Sequence, residues 1–335
     1  MTVLPPVSVI IPNFNGEALL SRNLPAVLEG LGQYPGESFL IVVDDGSSDR
    51  SLDLLARDFP GVRCIPHAHN LGFSEAIRTG VEAATTEMLV LLNSDVAPDP
   101  DFLAPLIEKL MNPGVFSVQS AIRVEGPDSH PFCLSRFSFR FGALKRRATP
   151  ALGHQPWLCL YASGGSMAVR RSAFLALGGF LPLLKPFYWE DFDLGLRAWR
   201  QGLESWLVPT SRVWHQERGA IVDHVKKRKI RRALQRNKLI VEWIHFPLGI
   251  LLMWGLPRVL GRLLLRLLMA DFAYLGAVGG ALRALPDIWT LRAEIRASAR
   301  LDFAAVLARI ADENACHERA DLPLKALGGA DAEHP

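Results

Sequence analysis

Cysteine is scarce in this chain: the four are Cys64, Cys133, Cys159 and Cys316, widely spaced and with no Cys-x-x-Cys pair. That spacing excludes a disulfide framework and a zinc knuckle, and it fits a reducing cytosol. An excess of charge of one sign is also lacking. Lys and Arg number 37 against 34 Asp and Glu, and the net charge of +3 excludes a dedicated nucleic-acid binder. The opening residues carry no basic leader and no long apolar core. Val7 to Ile11 is too short for a signal peptide and is hemmed in by Pro5, Pro6 and Pro12, so the protein is expected not to be secreted. No internal repeat is visible.

What the chain has in quantity is apolar residues, 49% of 335, enough to bury a sizeable core in one large α/β domain with a smaller appendage. Three short acidic clusters stand out against that background. Phe39 to Val43 runs into Asp44-Asp45-Gly46-Ser47-Ser48-Asp49, and Met88 to Leu92 runs into Asn93-Ser94-Asp95. Phe187-Tyr188-Trp189 precedes Glu190-Asp191-Phe192-Asp193. A continuous Val, Ile and Leu run too short for a helix reads as a strand buried on both faces, as in a parallel sheet. Ligands of open parallel sheets bind beyond the carboxyl ends of the strands. Carboxylates gathered there point to a divalent metal and an anionic ligand such as a nucleotide diphosphate.

Alternation of strands with helices continues through the first hundred residues and predicts a parallel, doubly wound sheet. Strands are expected at Val7 to Ile11, Phe39 to Val43, Val62 to Ile65 and Met88 to Leu92, with helices near Ala18 to Leu31, Ser51 to Asp58 and Ser74 to Ala84. A helix at Phe102 to Met111 is clear, whereas Val124 to Pro150 has no firm period and reads as loop and short strands. Strands are also expected at Leu158 to Tyr161, Met167 to Val169 and Ser205 to Pro209, and helices at Ser172 to Leu177 and Asp191 to Gln201.

Five segments, in order, resemble the family 2 glycosyltransferases of the GT-A fold. They are Val7 to Asn15, Val43 to Asp49, Asn70-Leu71-Gly72-Phe73, Leu91 to Asp95 and Glu190 to Leu194, and the likeness runs over about residues 7 to 217. Within the family the chain looks most like the bacterial rhamnosyltransferase-like branch. The resemblance implies a GT-A (Rossmann-like) α/β fold with a doubly wound, mostly parallel sheet. It implies a catalytic domain over 1–220; beyond it, composition alone reads as a basic and apolar helical region over 221–320 and a disordered tail over 321–335. The implied activity is inverting transfer of a sugar from a UDP- or dTDP-sugar to a hydroxyl of a bacterial glycan or lipid-linked saccharide.

Roles for individual residues follow from the same resemblance. Asp45, with Asp44 nearby, would accept a hydrogen bond from a uracil or thymine ring nitrogen; an Asp-Gly-Ser turn is the other reading. Pro12, Asn13, Asn15, Asn70, Gly72, Asn93, Ser94 and the Gly164-Gly165 turn complete the expected donor-binding set. Asn93-Ser94-Asp95 matches the family's Asp-x-Asp metal site with a neutral first residue, which leaves Asp95 as principal ligand of Mg²⁺ or Mn²⁺. His215 would complete the metal shell, since imidazole ligates divalent ions. Asp191 is the candidate general base, with Glu190 as runner-up, because glycosyl transfer needs a carboxylate to take the acceptor proton.

The region after His215 has a different character. Lys226 to Lys238 is a basic run on an expected helix, and two apolar stretches follow, Ile244 to Leu256 and Leu263 to Leu282. Pro247, Arg258 and Asp271 break them, which disfavours a spanning helix. Arg258, Arg262 and Arg266 form one row on a helix, so a helix lying on a membrane with arginines at phosphate level is expected, at the inner face of the cytoplasmic membrane. Packing on the catalytic domain or on a second copy in a homo-oligomer is the other reading. Two further functions compete: a sugar nucleotidyltransferase, whose basic phosphate loop is missing from Pro12 to Gly16, and a non-catalytic scaffold, suggested by Asn93.

Overall fold

Strands β1 (Val7–Asn13), β2 (Ser38–Asp44), β3 (Arg63–Pro66) and β4 (Met88–Leu92) form a parallel sheet half in the order β3-β2-β1-β4. The computed structural model describes residues 3–124, 133–150, 154–215, 227–269 and 271–321. Helices α1 (Glu17–Gln33), α2 (Ser51–Asp58) and α3 (Phe73–Ala83) join these strands. Leu20, Leu24, Val27 and Leu31 recur at helical spacing and put α1 on one face of the sheet. Ala76, Ile77 and Val81 put α3 in the core on the other face. Gly80 sits in so close a contact there that a Cβ would lie 2.3 Å from Ile10 Cγ2. The strand order reverses between β1 and β4, and that switch opens a crevice at the carboxyl ends.

Beyond β4 the sheet becomes mixed. β5 (Val96–Pro98), α4 (Leu103–Leu110), β6 (Val115–Val124), β9 (Trp157–Cys159), β10 (Ser166–Arg170), α5 (Arg171–Ala176), α6 (Glu190–Arg200) and β11 (Glu204–His215) follow. The sheet continues β4-β10-β6-β11-β5, with β10 antiparallel to both neighbours and β11 parallel to β6. The parallel character read from the sequence thus belongs to β1 to β4 and to the β6-β11 pair. β11 is longer than expected because its register shifts between Val208 and Arg212, a bulge in which Ser211 bonds Ser120 and the Phe102 carbonyl, both at 2.8 Å. The bulge lets the strand run on to His215.

Within the stretch that had no firm period, β7 (Cys133–Arg140) and β8 (Ala143–Pro150) form a hairpin. Its turn is Phe141-Gly142, both with positive φ. Phe137 packs on Tyr161 and Phe192, Phe139 on Phe246 and Phe303, and Phe141 on Trp254. The period of two places Phe137 and Phe139 on one face of β7, about 7 Å apart along the strand, and Phe141 follows in the turn.

The C-terminal elements are α7 (Lys227–His245), α8 (Leu248–Leu268, with a π turn over Leu251–Gly255), α9 (Phe272–Arg283), α10 (Leu285–Ser298) and α11 (Phe303–Asp321). They share one core with α6: Leu196 and Trp199 pack with Leu239, Ile240, Ile244, Tyr274, Ile288 and Val306. The two expected apolar stretches are corrected here. Arg258 and Arg262 do not interrupt the helix, and α8 is continuous across them. Arg258 turns to the protein, bonding Glu242 and the Gly142 carbonyl; Arg266 pairs with Asp271, and Arg262 stays exposed. The expectation of an outward arginine at phosphate level therefore fails for Arg258. α8 is long and apolar enough to cross a membrane by length and composition, with 11% of its most apolar window buried. Met253, Leu264 and Leu268 are 68%, 62% and 77% exposed. The predicted tail after Leu322 and the start of the basic run at Lys226 lie outside the described residues.

Candidate active site

Three loops at the carboxyl ends of β1, β2 and β4 build the floor of the crevice. Asp44 ends β2 with no exposed surface, and its carboxylate accepts from Asn13 Nδ2 at 2.9 Å, Ser47 Oγ at 2.7 Å and the Ser47 amide at 2.9 Å. Asp44 is therefore a pin: any contribution to a ligand passes through Asn13 and Ser47. Asn15, in the left-handed region, accepts from the Ser48 amide at 2.7 Å, and its own amide donates to Ser47 Oγ at 2.8 Å. These bonds fasten the loop after β1 to the loop after β2. Pro12 is half-buried at the end of β1, where it pairs with Val43.

Asp45 is also buried, and it holds the third wall. Its oxygens lie 2.8 Å from His67 Nδ1 and accept from the Leu71 and Gly72 amides at 2.8 and 2.7 Å. A carboxylate offers about four lone-pair sites, so one remains for a ligand donor. Gly72 has φ +94°, a conformation that favours glycine, and this lets both amides turn to Asp45. Asn70 is exposed on the rim of the same loop.

The centre of the crevice is the loop after β4. Asp95 is 5% exposed, its Oδ1 has no hydrogen-bond partner, and that oxygen lies 3.5 Å from His215 Nε2 at the end of β11. Asn93 Oδ1 is buried and unpartnered beside it, and Asn23 of α1 donates to the Ser94 carbonyl at 2.8 Å. An orphaned buried carboxylate oxygen is costly unless something fills the site. No group of three or more His, Cys, Asp and Glu converges among the described residues. One carboxylate and one imidazole, with substrate oxygens supplying the rest, suit a hard divalent ion that keeps open positions. The residues fit such an ion.

The Gly164-Gly165 turn joins this loop to the acidic end of α6. Asn93 donates its amide to the Gly165 carbonyl at 3.1 Å, and the Gly164 amide donates to Asp191 Oδ2 at 3.2 Å. A Cβ on Gly165 would come 3.1 Å from Asn93 Nδ2, a tight approach, while one on Gly164 would make ordinary contact. Asp191 Oδ1 also accepts from the Phe192 amide at 2.7 Å. Glu190 is buried with Oε2 unpartnered; burial, and then the charge of Asp191, push its carboxyl up to about 8. Asp193, the third acid, turns inward to Arg197 and to His245 of α7, and takes no part in the crevice.

A family model, glycosyl transferase family 2, matches residues 8–178, just over half of the chain. The chain belongs to glycosyl transferase family 2. It is 30% identical over 230 residues to a pre-mycofactocin glycosyltransferase of Mycobacterium tuberculosis, covering 66% of this chain and 45% of that relative. It is 26% identical over 204 residues to an N-acetylglucosaminyl-diphospho-decaprenol L-rhamnosyltransferase of the same organism, covering 53% of this chain and 66% of the relative. The chain thus spans less than half the length of the first of these relatives. Solved structures share the fold. GalNAc-T7 with UDP, GalNAc and Mn²⁺ matches at TM-score 0.58 and 19% identity, over 73% of this chain and 49% of that one. The mannosyltransferase PcManGT from Pyrobaculum calidifontis, with GDP-Man and Mn²⁺, matches at TM-score 0.52 and 16% identity, over 97% and 82%.

In this family 2 chain the crevice depends on polar residues that no motif marks. His67 bridges Asp45 and Thr79, the latter at 3.0 Å. Asn23 interrupts the apolar face of α1 beside Leu20 and Leu24, and a polar residue at an apolar-face position is the signal that could have found it. Asn237 of α7 carries the same signal, interrupting the buried stripe of Ala233, Ile240, Val241 and Ile244, while its partners lie far along the chain.

Proposed function

We propose that this chain is an inverting glycosyltransferase that moves a sugar from a UDP- or dTDP-sugar to a hydroxyl of a bacterial glycan or lipid-linked saccharide. The observation that carries the reading is the Gly164-Gly165 turn, which ties the unpartnered Asp95-His215 pair to Asp191 in one crevice. Asp45 and the loops around Asn13, Asn15 and Gly72 receive the nucleoside. Asp95 and His215 would hold Mg²⁺ or Mn²⁺, which would supply positive charge to the departing diphosphate. Asp191 takes the acceptor hydroxyl proton as that oxygen attacks the anomeric carbon. The nucleoside diphosphate leaves from the opposite face, so the centre inverts without a covalent intermediate. The relatives named for a decaprenol-linked acceptor and the exposed α8 both support a lipid-linked acceptor. The purified chain is expected to release nucleoside diphosphate slowly from one member of a panel of UDP-, dTDP- and GDP-sugars when Mn²⁺ is present. Failure to bind any of them overturns the reading.

The same reading places the protein in the cytoplasm, peripheral on the inner membrane face. α8 presents Met253, Leu260, Leu264 and Leu268 outward, and the Arg231-Asp271 ion pair sets the basic start of α7 beside its end. Apolar side chains flanked by exposed Lys227, Arg228 and Lys229 suit an anionic lipid surface. The double variant Leu260→Glu, Leu264→Glu is expected to weaken sedimentation with phosphatidylglycerol vesicles by about 100-fold, as two buried leucines contribute roughly 3 kcal/mol or more. Unchanged binding, or loss of a dimer in sedimentation velocity instead, assigns α8 to contact with a second copy.

A further inference from the structure

Tyr188 and Trp189, the two residues before Glu190-Asp191, both have left-handed backbones, with φ of 72° and 75°. Neither is glycine, and such a conformation costs on the order of 1–3 kcal/mol per residue unless its surroundings hold it. The turn points the start of α6 at the crevice, so whatever holds it sets where Asp191 sits. The holder lies on α7. Asn237, fully buried, directs one amide nitrogen at three carbonyls of this turn: Leu184 at 2.5 Å, Phe187 at 3.0 Å and Tyr188 at 3.1 Å. Its neighbour Arg236 reaches the Lys185 carbonyl at 3.2 Å and also donates to Asn237 Oδ1 at 2.8 Å. Four carbonyls of the 184–188 segment therefore bond to two adjacent side chains of one helix.

We infer that Asn237 is a positioning residue for glycosyl transfer: it locks the left-handed Tyr188-Trp189 turn and thereby places Asp191 against the acceptor. The inference rests on the proposed role of Asp191. It makes α7, which lies outside the residues matched by the family model, part of the catalytic apparatus. Asn237 touches neither the loops after β1, β2 and β4 nor Asp95, so its loss leaves nucleotide binding intact. An apolar residue of the same size would leave those carbonyls unbonded in the interior, and the turn would relax toward right-handed backbone. Asp191 would then swing away from the Gly164 amide.

The test compares Asn237→Ala with Ile240→Ala, a cavity variant on the same helix at a fully buried position that bonds nothing in the turn. Both lower the melting temperature. In Asn237→Ala, amide exchange of the peptide spanning 184–193 is expected to quicken at least about tenfold, while the peptide spanning 90–97 keeps its protection. Transfer is expected to lose about 100-fold in kcat with the donor KM and UDP affinity within about threefold of wild type. Ile240→Ala shows neither effect. Equal exchange of the 184–193 peptide in the two variants overturns the inference, whatever the activity. Quickened exchange in Asn237→Ala with kcat retained also overturns it. If wild type transfers no sugar, the functional reading fails, and the exchange comparison still decides whether Asn237 holds the turn.

Discussion

Asp191→Asn is expected to lower the rate of sugar transfer by about 10³-fold while leaving UDP or dTDP affinity unchanged, the range typical for removal of a general base. The acceptor hydroxyl is a poor nucleophile until its proton leaves, and Asp191 is the half-exposed carboxylate of the α6 cluster. Glu190 sits next to it, but burial, and then the charge of Asp191, push its carboxyl up to about 8. Glu190→Gln therefore swaps one neutral group for another and is expected to cost only about tenfold, through altered hydrogen bonding. Rates at saturating donor, with nucleotide affinity by calorimetry, separate the two. A loss in Glu190→Gln equal to that in Asp191→Asn would move the base to Glu190.

Asp193→Ala is expected to destabilise the fold by about 3–5 kcal/mol, the cost of leaving buried partners without their counter-charge. Asp193 has no exposed surface and accepts from Arg197 Nε at 2.8 Å and His245 Nε2 at 2.8 Å. Burial opposes its charge, but Arg197 and His245 outweigh it and hold the carboxyl below its usual range. Burial pushes His245 down, with Asp193 opposing. Both groups bind fewer protons folded than unfolded, so both contribute stability above their unfolded values and lose it in acid. The loss begins as pH falls below about 6.5, the unfolded histidine value, and deepens below about 4, the unfolded aspartate value. Urea midpoints at pH 7.5, 6 and 4.5 measure this. The wild type should fall steeply across the series, and Asp193→Ala should start lower and lose less from aspartate protonation.

Much of the crevice was legible because parallel strands advertise themselves. Val7 to Ile11, interrupted only by Ser8, and the unbroken Leu40 to Val43 and Met88 to Leu92 are apolar runs, and each leads to the polar loop that the crevice uses. The mixed sheet was harder: β10 and β11 are short or bulged, and the Ser211 bulge that delivers His215 has no composition signal. The stretch holding β7 and β8 read as loop and short strands, and their pairing was not legible because Phe141-Gly142 is not one of the turn pairs that mark tight hairpins. For the arginine row, helical spacing told that Arg258, Arg262 and Arg266 share a face but not which way it looks. Glu242, 16 residues before Arg258, decided that by pairing with it. The partners of Asn237 and His245 could not be read for the same reason, since they lie 49 to 53 residues away.

The central claim is that Asp95, with His215, holds a divalent ion where a nucleoside diphosphate binds. Calorimetric titration of UDP and dTDP into wild type and Asp95→Ala, with Mn²⁺ and with a chelator, tests it most directly. The account predicts that Mn²⁺ tightens nucleotide binding by at least about tenfold in wild type and not in Asp95→Ala, with metal-free affinity equal in the two. Nucleotide binding that ignores the metal in wild type, or that still responds to it in Asp95→Ala, would contradict the claim.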